Sequence, residues 1–241
     1  MIETRYATIN ALGVLDNPNL PQAAAADVDS LGYASGMRTI DERALADARS
    51  AGLSAVNITL GHVAGSTDAF AATVRDITSW NAFIADHAGA LRRVLTVADI
   101  AAASDAGQVG VIYGFQNTEM LGRELDRVRL FAKMGVRVIQ LTYNGRNAVG
   151  DGATVADDRG LSRFGAEAVE RLLHRLARAL GGALRAGQQQ HRPVVGGGGC
   201  QAARDRAATC YRQACAHGVS LLFCEVDGRR NGLTDQSIYW R

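Results

Sequence analysis

The amino-acid sequence predicts an α/β protein built on parallel strands, and three observations support this. Short apolar runs alternate with helical patterns through most of the first 172 residues. The runs are apolar at consecutive positions, which is typical of strands that helices cover on both faces. Most runs end in polar residues and glycine, as parallel strands do where their carboxyl ends form a ligand site. A TIM-like (β/α) barrel and an open doubly wound sheet both fit this pattern, and no GxGxxG follows the first run to favour dinucleotide binding.

The first predicted elements are a strand, a helix, a second strand and a long helix. The first strand reads YATINALGVL. The helix reads TIDERALADARSAG, with Thr39 as its N-cap, Glu42 three residues later as in a capping box, and Gly52 as its stop. The second strand reads LSAVNITL, and an amphipathic helix is predicted over residues 69–91 after it.

The same design repeats further along the chain. Thr96 caps the next predicted helix, Asp99 takes the box position, and Gly107 ends it. QVGVIYGF is the third predicted strand, GRELDRVRLFAKMG a helix that ends on Gly135, and VRVIQLTY the fourth strand. Four strands interleaved with helices at short spacing imply right-handed crossover connections and a parallel sheet.

Composition and charge argue against several classes of protein. No apolar run approaches the roughly 18 residues of a membrane span, and the N-terminus lacks the pattern of a secretory signal, so we expect a cytoplasmic protein. The net charge of +2 gives no reason to expect nucleic acid as a partner. The four cysteines lack the spacing of a zinc knuckle or a CxxC pair, which favours free thiols: Cys200, Cys210, Cys215 and Cys224.

Polar side chains cluster where the predicted strands end. Asn10 is expected to end the first strand, and His62 follows the second in TLGHVAG. The third and fourth strands lead into Gln116, Asn117, Glu119, Tyr143, Asn144, Arg146, Asn147 and Asp151. His62 suits either a metal ligand or an ordinary loop position. The asparagines of the last loop also suit ordinary turns, and Glu119 also suits the first turn of a short helix.

The segment AKMGVRVIQLTYNGRNAVGDGATVADDRGLSRFGAEAVERL resembles the membrane (renal) dipeptidase family of zinc metallopeptidases. In that family G-V-R-x-x-x-L-T-[HY]-N-x-x-N leads through a variable loop to G-L-[ST]-x-F-G and a helix. The matching positions here are 135–147 and 160–165. The resemblance covers about residues 1–172 and implies a TIM-like barrel that hydrolyses dipeptides with two zinc ions bridged by a glutamate. A homodimer is a further expectation.

The chain departs from the family at the metal positions. Ala11 and Gly13 fall where the first strand should end in His-x-Asp, and Gln116 falls where the bridging glutamate should be. An alanine, a glycine and an amide cannot replace imidazole and carboxylate ligands at a dinuclear zinc site. Zinc is therefore implied by the resemblance, whereas the ligands expected for it are missing from these positions.

The resemblance also implies that residues at the strand ends bind a small peptide-like substrate. The residues expected to bind it are Asn10, Gln116, Asn117, Tyr143, Asn144, Arg146 and Asp151. Tyr143 and Asn144 are the strongest candidates, as hydrogen-bond donors to a substrate carbonyl or carboxylate. Arg146 suits a terminal carboxylate. His62 remains a candidate metal ligand.

The chain divides into a dipeptidase-like barrel portion, residues 1–172, and a divergent segment, residues 173–241. The charge balance changes at this boundary, because the first portion holds 20 acidic and 16 basic residues and the second holds 4 acidic residues and 10 arginines. A shifted reading frame or a truly divergent segment explains the change. In both cases we expect a barrel that is incomplete or divergent in its C-terminal part.

The leading functional prediction is a dipeptidase-like protein whose family activity is metal-dependent hydrolysis of dipeptides. Because the expected ligands are missing, an inactive chain is compatible with this prediction. The alternative is a degenerate barrel that binds a small ligand or serves as a subunit without catalysis. A metal-independent hydrolase or lyase, built on the loops of Gln116 and Tyr143, is a third possibility.

Overall fold

The structure is a computed structural model and describes residues 7–17, 19, 40–63, 68–172 and 221–222. The strands are β1 (Thr8–Gly13), β2 (Leu53–Thr59), β3 (Leu91–Arg93), β4 (Val109–Phe115), β5 (Val136–Ile139) and β6 (Leu221–Leu222). The helices are α1 (Glu42–Ser50), α2 (Ala69–Asp86), α3 (Val97–Asp105), α4 (Asp126–Lys133) and α5 over 163–172. A 3₁₀ turn, Glu119–Leu121, lies between β4 and α4.

Helix α1 begins at Glu42 because Asp41 caps it. The Asp41 carboxylate accepts a hydrogen bond from the backbone N–H of Ala44 at 2.9 Å. The prediction of Thr39 as the N-cap is therefore wrong, since the aspartate two residues later reaches the free N–H of the first turn. The predicted stop is confirmed, because Gly52 follows the helix with φ of +70°, which glycine adopts without strain.

Helix α2 is shorter than predicted, and a strand that the sequence did not indicate follows it. The helix ends at Asp86, a turn covers residues 87–90, and Leu91 begins β3. Leu91 continues the helical spacing of Trp80 and Ile84, which is why the pattern extended the helix to residue 91. In the structure Leu91 is in a strand, because β3 pairs in parallel with the start of β4 and Leu91 is buried there.

Helices α3 and α4 follow their predicted signals more closely. The Asp99 carboxylate accepts from the backbone N–H of Thr96 at 2.7 Å, as a capping box requires. Gly107 and Gly135 follow the two helices with φ of +67° and +100°, so both predicted stops are confirmed.

The strands form one sheet in the order β1-β2-β4-β5-β6, in which only the β5–β6 pair is antiparallel. Strand β2 pairs along one edge of β4, so β3 and β5 share the other edge, β3 at the start of β4 and β5 at its end. The predicted parallel α/β fold is confirmed. Among the described strands the sheet is an open run with β1 and β6 at its ends, and its closure into a barrel stays a prediction.

The sheet separates a large hydrophobic core from a small one. Val56, Tyr113 and Phe131 belong to the large core, to which α1, α2 and α4 contribute. The small core lies on the other face and consists of Ala55, Val94, Ile100, Ile112 and Val138. Because β2, β4 and β5 are buried along their length, their carboxyl ends are where the chain leaves the core for solvent-facing loops.

Strand β1 lies at one end of the sheet and is mostly exposed. Ile9 and Leu12 are 46% and 55% exposed. The strand pairs with β2 as far as Gly13, across two register shifts. Asn10 consequently lies inside the strand and not at its end, which corrects the sequence expectation.

The C-terminal part of the chain is described at only two residues. The apolar segment VSLLFCEV contains β6. The remainder of residues 173–241, with the tetraglycine run and all four cysteines, lies outside the described residues. Within the described part, none of the helices is both long and apolar enough to cross a bilayer.

Candidate functional site

Three loops that leave the sheet at its carboxyl end are joined by a cluster of side chains that we call the amide hub, Asn117, Thr118 and Asn147. The Nδ2 group of Asn117 donates to the carbonyl of Val63, beyond β2, at 2.8 Å. The Nδ2 group of Asn147, beyond β5, donates to the Asn117 Oδ1 atom at 2.9 Å. Asn117 and Thr118 are buried, so these bonds form away from water, where an unpaired amide is costly.

The hub also fixes the loop beyond β5. The Oδ1 atom of Asn147 accepts from the backbone N–H groups of Val149 and Gly150 at 2.8 and 3.1 Å. The Thr118 hydroxyl and the Asn147 Nδ2 group both donate to the Leu141 carbonyl, at 2.6 and 2.9 Å. One asparagine thus shapes its own turn and connects it to the neighbouring loop.

Arg146 and Asp151 form an ion pair across the same loop. The guanidinium donates to both carboxylate oxygens, and the backbone N–H of Arg159 adds a bond to Asp151 at 2.6 Å. The Asp151 side chain is 3% exposed and that of Arg146 is 47% exposed. The hydrogen bond from Arg146, with that from Arg159, holds the pKa of Asp151 below its ordinary value, so the carboxylate stays charged and paired.

Tyr143 and Asn144 are exposed at the start of this loop. Their backbone carbonyls accept from the N–H groups of Ala153 and Thr154 at 2.8 and 3.0 Å, which closes the loop upon itself. Gly152 is required at this crossing, because a Cβ atom there would overlap the carbonyl oxygens of residues 143–145. The side chains of Tyr143 and Asn144 therefore stand on a fixed backbone.

Gln116 is the first residue after β4 and is partly buried. The backbone N–H of Gln140, the first residue after β5, donates to the Phe115 carbonyl at 2.8 Å, so the two strand ends lie side by side. Asn10 is exposed, and its Oδ1 atom accepts from the backbone N–H of Leu12 at 3.2 Å. Asn10 belongs to β1 and is not joined to the hub by any contact among the described residues.

His62 lies in the loop that leaves β2, and its side chain is buried. Its exposed fraction is 1%, and its Nδ1 atom lies 2.9 Å from the Glu119 Oε2 atom. The alignment is poor for a hydrogen bond, and neither ring nitrogen makes a well-formed one within the described part of the chain. Asp76 and Thr73 of α2 accept from the backbone N–H groups of Gly61 and His62 at 2.8 and 3.2 Å, which fixes the loop carrying the imidazole.

The described residues do not fit a dinuclear zinc site. They contain no group of three or more His, Cys, Asp or Glu side chains placed to hold one metal ion. Ala11 and Gly13 lie in β1, where the backbone carbonyl of Ala11 accepts from the Asn57 side chain at 2.7 Å. His62 has Glu119 beside it but no third ligand among the described residues.

The structure joins some of the predicted site residues and separates others. Asn117 is in the hub, and Tyr143, Asn144, Arg146 and Asp151 lie in the loop that the hub holds. The sequence predicts no binding role for Thr118, Glu119 or Asn147, although Glu119 and Asn147 follow strand ends. Their pairing across loops was not visible, because Asn147 is 30 positions from Asn117 along the chain.

Comparisons with known proteins identify a family and similar solved structures. The sequence model of the membrane dipeptidase family, peptidase family M19, matches residues 25–176. No curated protein matches the chain. An amidohydrolase from Pseudomonas aeruginosa is similar to this chain, with 30% identity and a TM-score of 0.55 over 70% of this chain and 43% of its own.

The probable dipeptidase PvdM from Pseudomonas aeruginosa shares the fold, with 19% identity and a TM-score of 0.52 over 70% of this chain and 44% of its own. The chain thus spans less than half the length of these two solved structures. The family match covers well over half of the chain, including every loop joined by the amide hub. The chain belongs to the membrane dipeptidase family.

Proposed function

We propose that the protein acts on small peptide-like amides and that the carboxyl ends of β2, β4 and β5 form its substrate-binding rim. One observation carries this proposal. The amide hub holds three loops of a family-matched α/β sheet in fixed positions, and exposed polar side chains stand on these loops. Such preorganised loops at strand carboxyl ends are where proteins of this class bind ligands.

The side chains at the rim suit a dipeptide backbone. The Tyr143 hydroxyl donates to a substrate carbonyl, and the Gln116 carboxamide both donates and accepts, as a peptide unit requires. Arg146 is engaged by the Asp151 carboxylate and the Asp157 carbonyl, yet its guanidinium has five N–H donors and is half exposed. Its remaining donors suit a terminal carboxylate, which is the role that the sequence suggested.

Family membership supports hydrolysis as the activity. Zinc, when bound in this family, supplies an activated water and polarises the scissile carbonyl. The described residues do not provide its ligands, so our proposal assigns them substrate recognition and no metal-dependent step. His174, His191 and His217 lie outside the described residues.

A second candidate function is binding without hydrolysis, and a specific observation favours it. Gln116 stands where the family resemblance requires a carboxylate, and Ala11 and Gly13 stand where it requires imidazole and carboxylate. The hydrogen-bonded loops survive such replacements, whereas a dinuclear metal site does not.

The test uses the purified full chain and a panel of dipeptides, assayed with added zinc and with a chelator. Zinc-dependent turnover supports the dipeptidase, and binding without turnover, measured by calorimetry, supports the second candidate. Turnover that survives the chelator identifies the metal-independent hydrolase instead. If no dipeptide binds or reacts under any condition, the whole proposal fails.

Several other expectations from the sequence remain predictions. These are the cytoplasmic location, the homodimer, the lack of a nucleic-acid partner and the boundary at residue 172. The boundary is tested by reading the gene on independent clones from the codon of Gly165 onward. One inserted or deleted base that restores a family-like continuation supports the shifted frame, and an intact frame supports a divergent segment.

A further inference from the structure

The Glu119 carboxylate is an anionic group at the rim that forms no ion pair with an arginine or lysine within the described part of the chain. Arg146 is bound to Asp151, and Arg127 is bound to Glu124 at 2.9 Å. The neighbour of Glu119 is the imidazole of His62, whose Nδ1 atom lies 2.9 Å from Oε2. A carboxylate without a cationic partner favours a cationic ligand.

Glu119 is fixed through its backbone and partly exposed at its side chain. Its backbone N–H donates to the Asn117 Oδ1 atom at 2.8 Å, so the residue is attached directly to the amide hub. Its side chain is 37% exposed, in contrast to the 1% of His62. The carboxylate therefore touches a buried imidazole on one side and solvent on the other.

The ring nitrogens of His62, unpaired among the described residues, are independent evidence for a binding site at Glu119. A buried imidazole normally has a hydrogen-bond partner for each ring nitrogen, because an unpaired buried polar group costs free energy. Neither ring nitrogen of His62 has a well-formed bond within the described part of the chain. The contact with Glu119 is close but poorly aligned for a hydrogen bond, so the carboxylate oxygens can still accept from another donor.

We propose that Glu119, positioned by His62, binds the ammonium group of a peptide-like ligand. This inference rests on the proposed function and deepens it, since it assigns the residue that distinguishes a free amino terminus from a blocked one. With Oε2 beside the imidazole, Oε1 is left to accept from the ammonium group, in a charge-assisted bond. Glu119 determines specificity, and His62 is a positioning residue.

The test compares the dissociation constants of L-alanyl-L-alanine and N-acetyl-L-alanyl-L-alanine for the intact chain by calorimetry. We expect the free dipeptide to bind at least about tenfold more tightly, as a charge-assisted bond provides. Glu119→Gln should bring the two constants together while leaving that of the acetylated dipeptide unchanged. Glu124→Gln is the matched control, because Glu124 is also an exposed glutamate of the segment between β4 and α4 and is paired with Arg127, and it should keep the preference.

A purely structural role for the pair would lower the melting temperature of Glu119→Gln and leave the preference intact, which would overturn the inference. Equal binding of both dipeptides by the wild type would also overturn it and leave the proposed function standing. Binding of neither dipeptide would overturn the inference, whereas the proposed function fails only if no member of the dipeptide panel binds or reacts. If Glu119→Gln fails to fold, the wild type alone decides. Its preference should shrink between low salt and about 0.5 M salt, because salt screens an ammonium–carboxylate contact, and an unchanged preference contradicts the inference.

Discussion

The side-chain amide of Asn147 donates to the carboxamide oxygen of Asn117 at 2.9 Å, and this bond connects the loop beyond β5 to the loop beyond β4. Asn117 in turn donates to the loop beyond β2. Two neutral amides therefore set the relative positions of three loops.

Replacing Asn147 tests whether the hub stabilises the fold. Asn147→Ala removes a donor to Asn117 and the acceptor for two backbone N–H groups, so we expect a loss of about 2 to 3 kcal/mol in the free energy of unfolding. Asn144→Ala is the control, because Asn144 is exposed and should change stability by less than about 0.5 kcal/mol. Urea unfolding measures both, and equal losses would contradict the assigned role of the hub.

The ion pair of Arg146 and Asp151 predicts a dependence of stability on pH. The pKa of Asp151 in the folded chain lies below its ordinary value of 3.8, so the pair stabilises the fold above about pH 4. This contribution is lost as the pH falls through the lowered pKa, since the carboxyl is then protonated. Asp151→Asn should therefore lower stability at neutral pH and flatten the decline below pH 4.

Chemical unfolding followed from about pH 7 to pH 2.5 measures the Asp151→Asn effect. Asp157→Asn is the control, because the Asp157 side chain is 75% exposed and pairs only at the surface with Arg159. Its curve should follow the wild type. An Asp151→Asn curve that runs parallel to the wild type at every pH would disprove the stabilising pair.

Substituting two glycines with positive φ distinguishes the cost of backbone strain from the cost of steric overlap. Gly52 and Gly61 have φ of +70° and +77°, but a Cβ atom at Gly52 meets nothing within 4 Å, whereas at Gly61 it overlaps the Thr73 side chain. Gly52→Ala should cost about 1 kcal/mol from the backbone alone. Gly61→Ala should cost about 1 to 3 kcal/mol more and displace the loop that carries His62.

Thermal unfolding of the two glycine variants gives the comparison. The double variant Gly61→Ala/Thr73→Ser relieves one of the overlapping atoms and should recover part of the loss. If Gly61→Ala is no less stable than Gly52→Ala, then Thr73 does not pack against the loop as described.

Substituting Tyr143 and Tyr113 distinguishes an effect on ligand binding from an effect on stability. Tyr143 is 37% exposed at the rim, so Tyr143→Phe should weaken dipeptide binding about three- to tenfold with little change in melting temperature. Tyr113 is buried in the large core, and its hydroxyl donates to the Asn81 Oδ1 atom at 3.1 Å. Tyr113→Phe should lower the melting temperature and leave the dissociation constant unchanged. The reverse pattern, measured by calorimetry and thermal unfolding, would exclude Tyr143 from the rim.

Residues close together in the sequence correctly predicted the C-terminal ends of three helices. Gly52, Gly107 and Gly135 end their helices as expected, because a positive φ is a property of the residue itself. The N-cap of α1 was placed at Thr39 and lies at Asp41, since several polar residues compete to accept from the first turn. Strand β3 was missed because three residues carry too little pattern and their pairing partner is more than 15 positions away.

The candidate site was predicted as a set of residues but not as an arrangement. Polar residues after β2, β4 and β5 were recognised from their places at strand ends. Arg146 appeared free to bind a ligand, and in the structure Asp151 already holds it. Asn10 was expected at a strand end and lies within β1, because the strand continues to Gly13.

The sequence by itself determined the parallel α/β class, the helix stops and the membership of the dipeptidase family, because these depend on residue types at short spacing along the chain. Tertiary structure alone decided that Asn147 binds Asn117, that Glu119 lies beside His62, and that Leu91 begins a strand. Each of these contacts joins residues brought together by the crossover connections of the sheet. Hydrogen bonds depend on distances of about 3 Å, which the folded sheet sets and local sequence pattern does not encode.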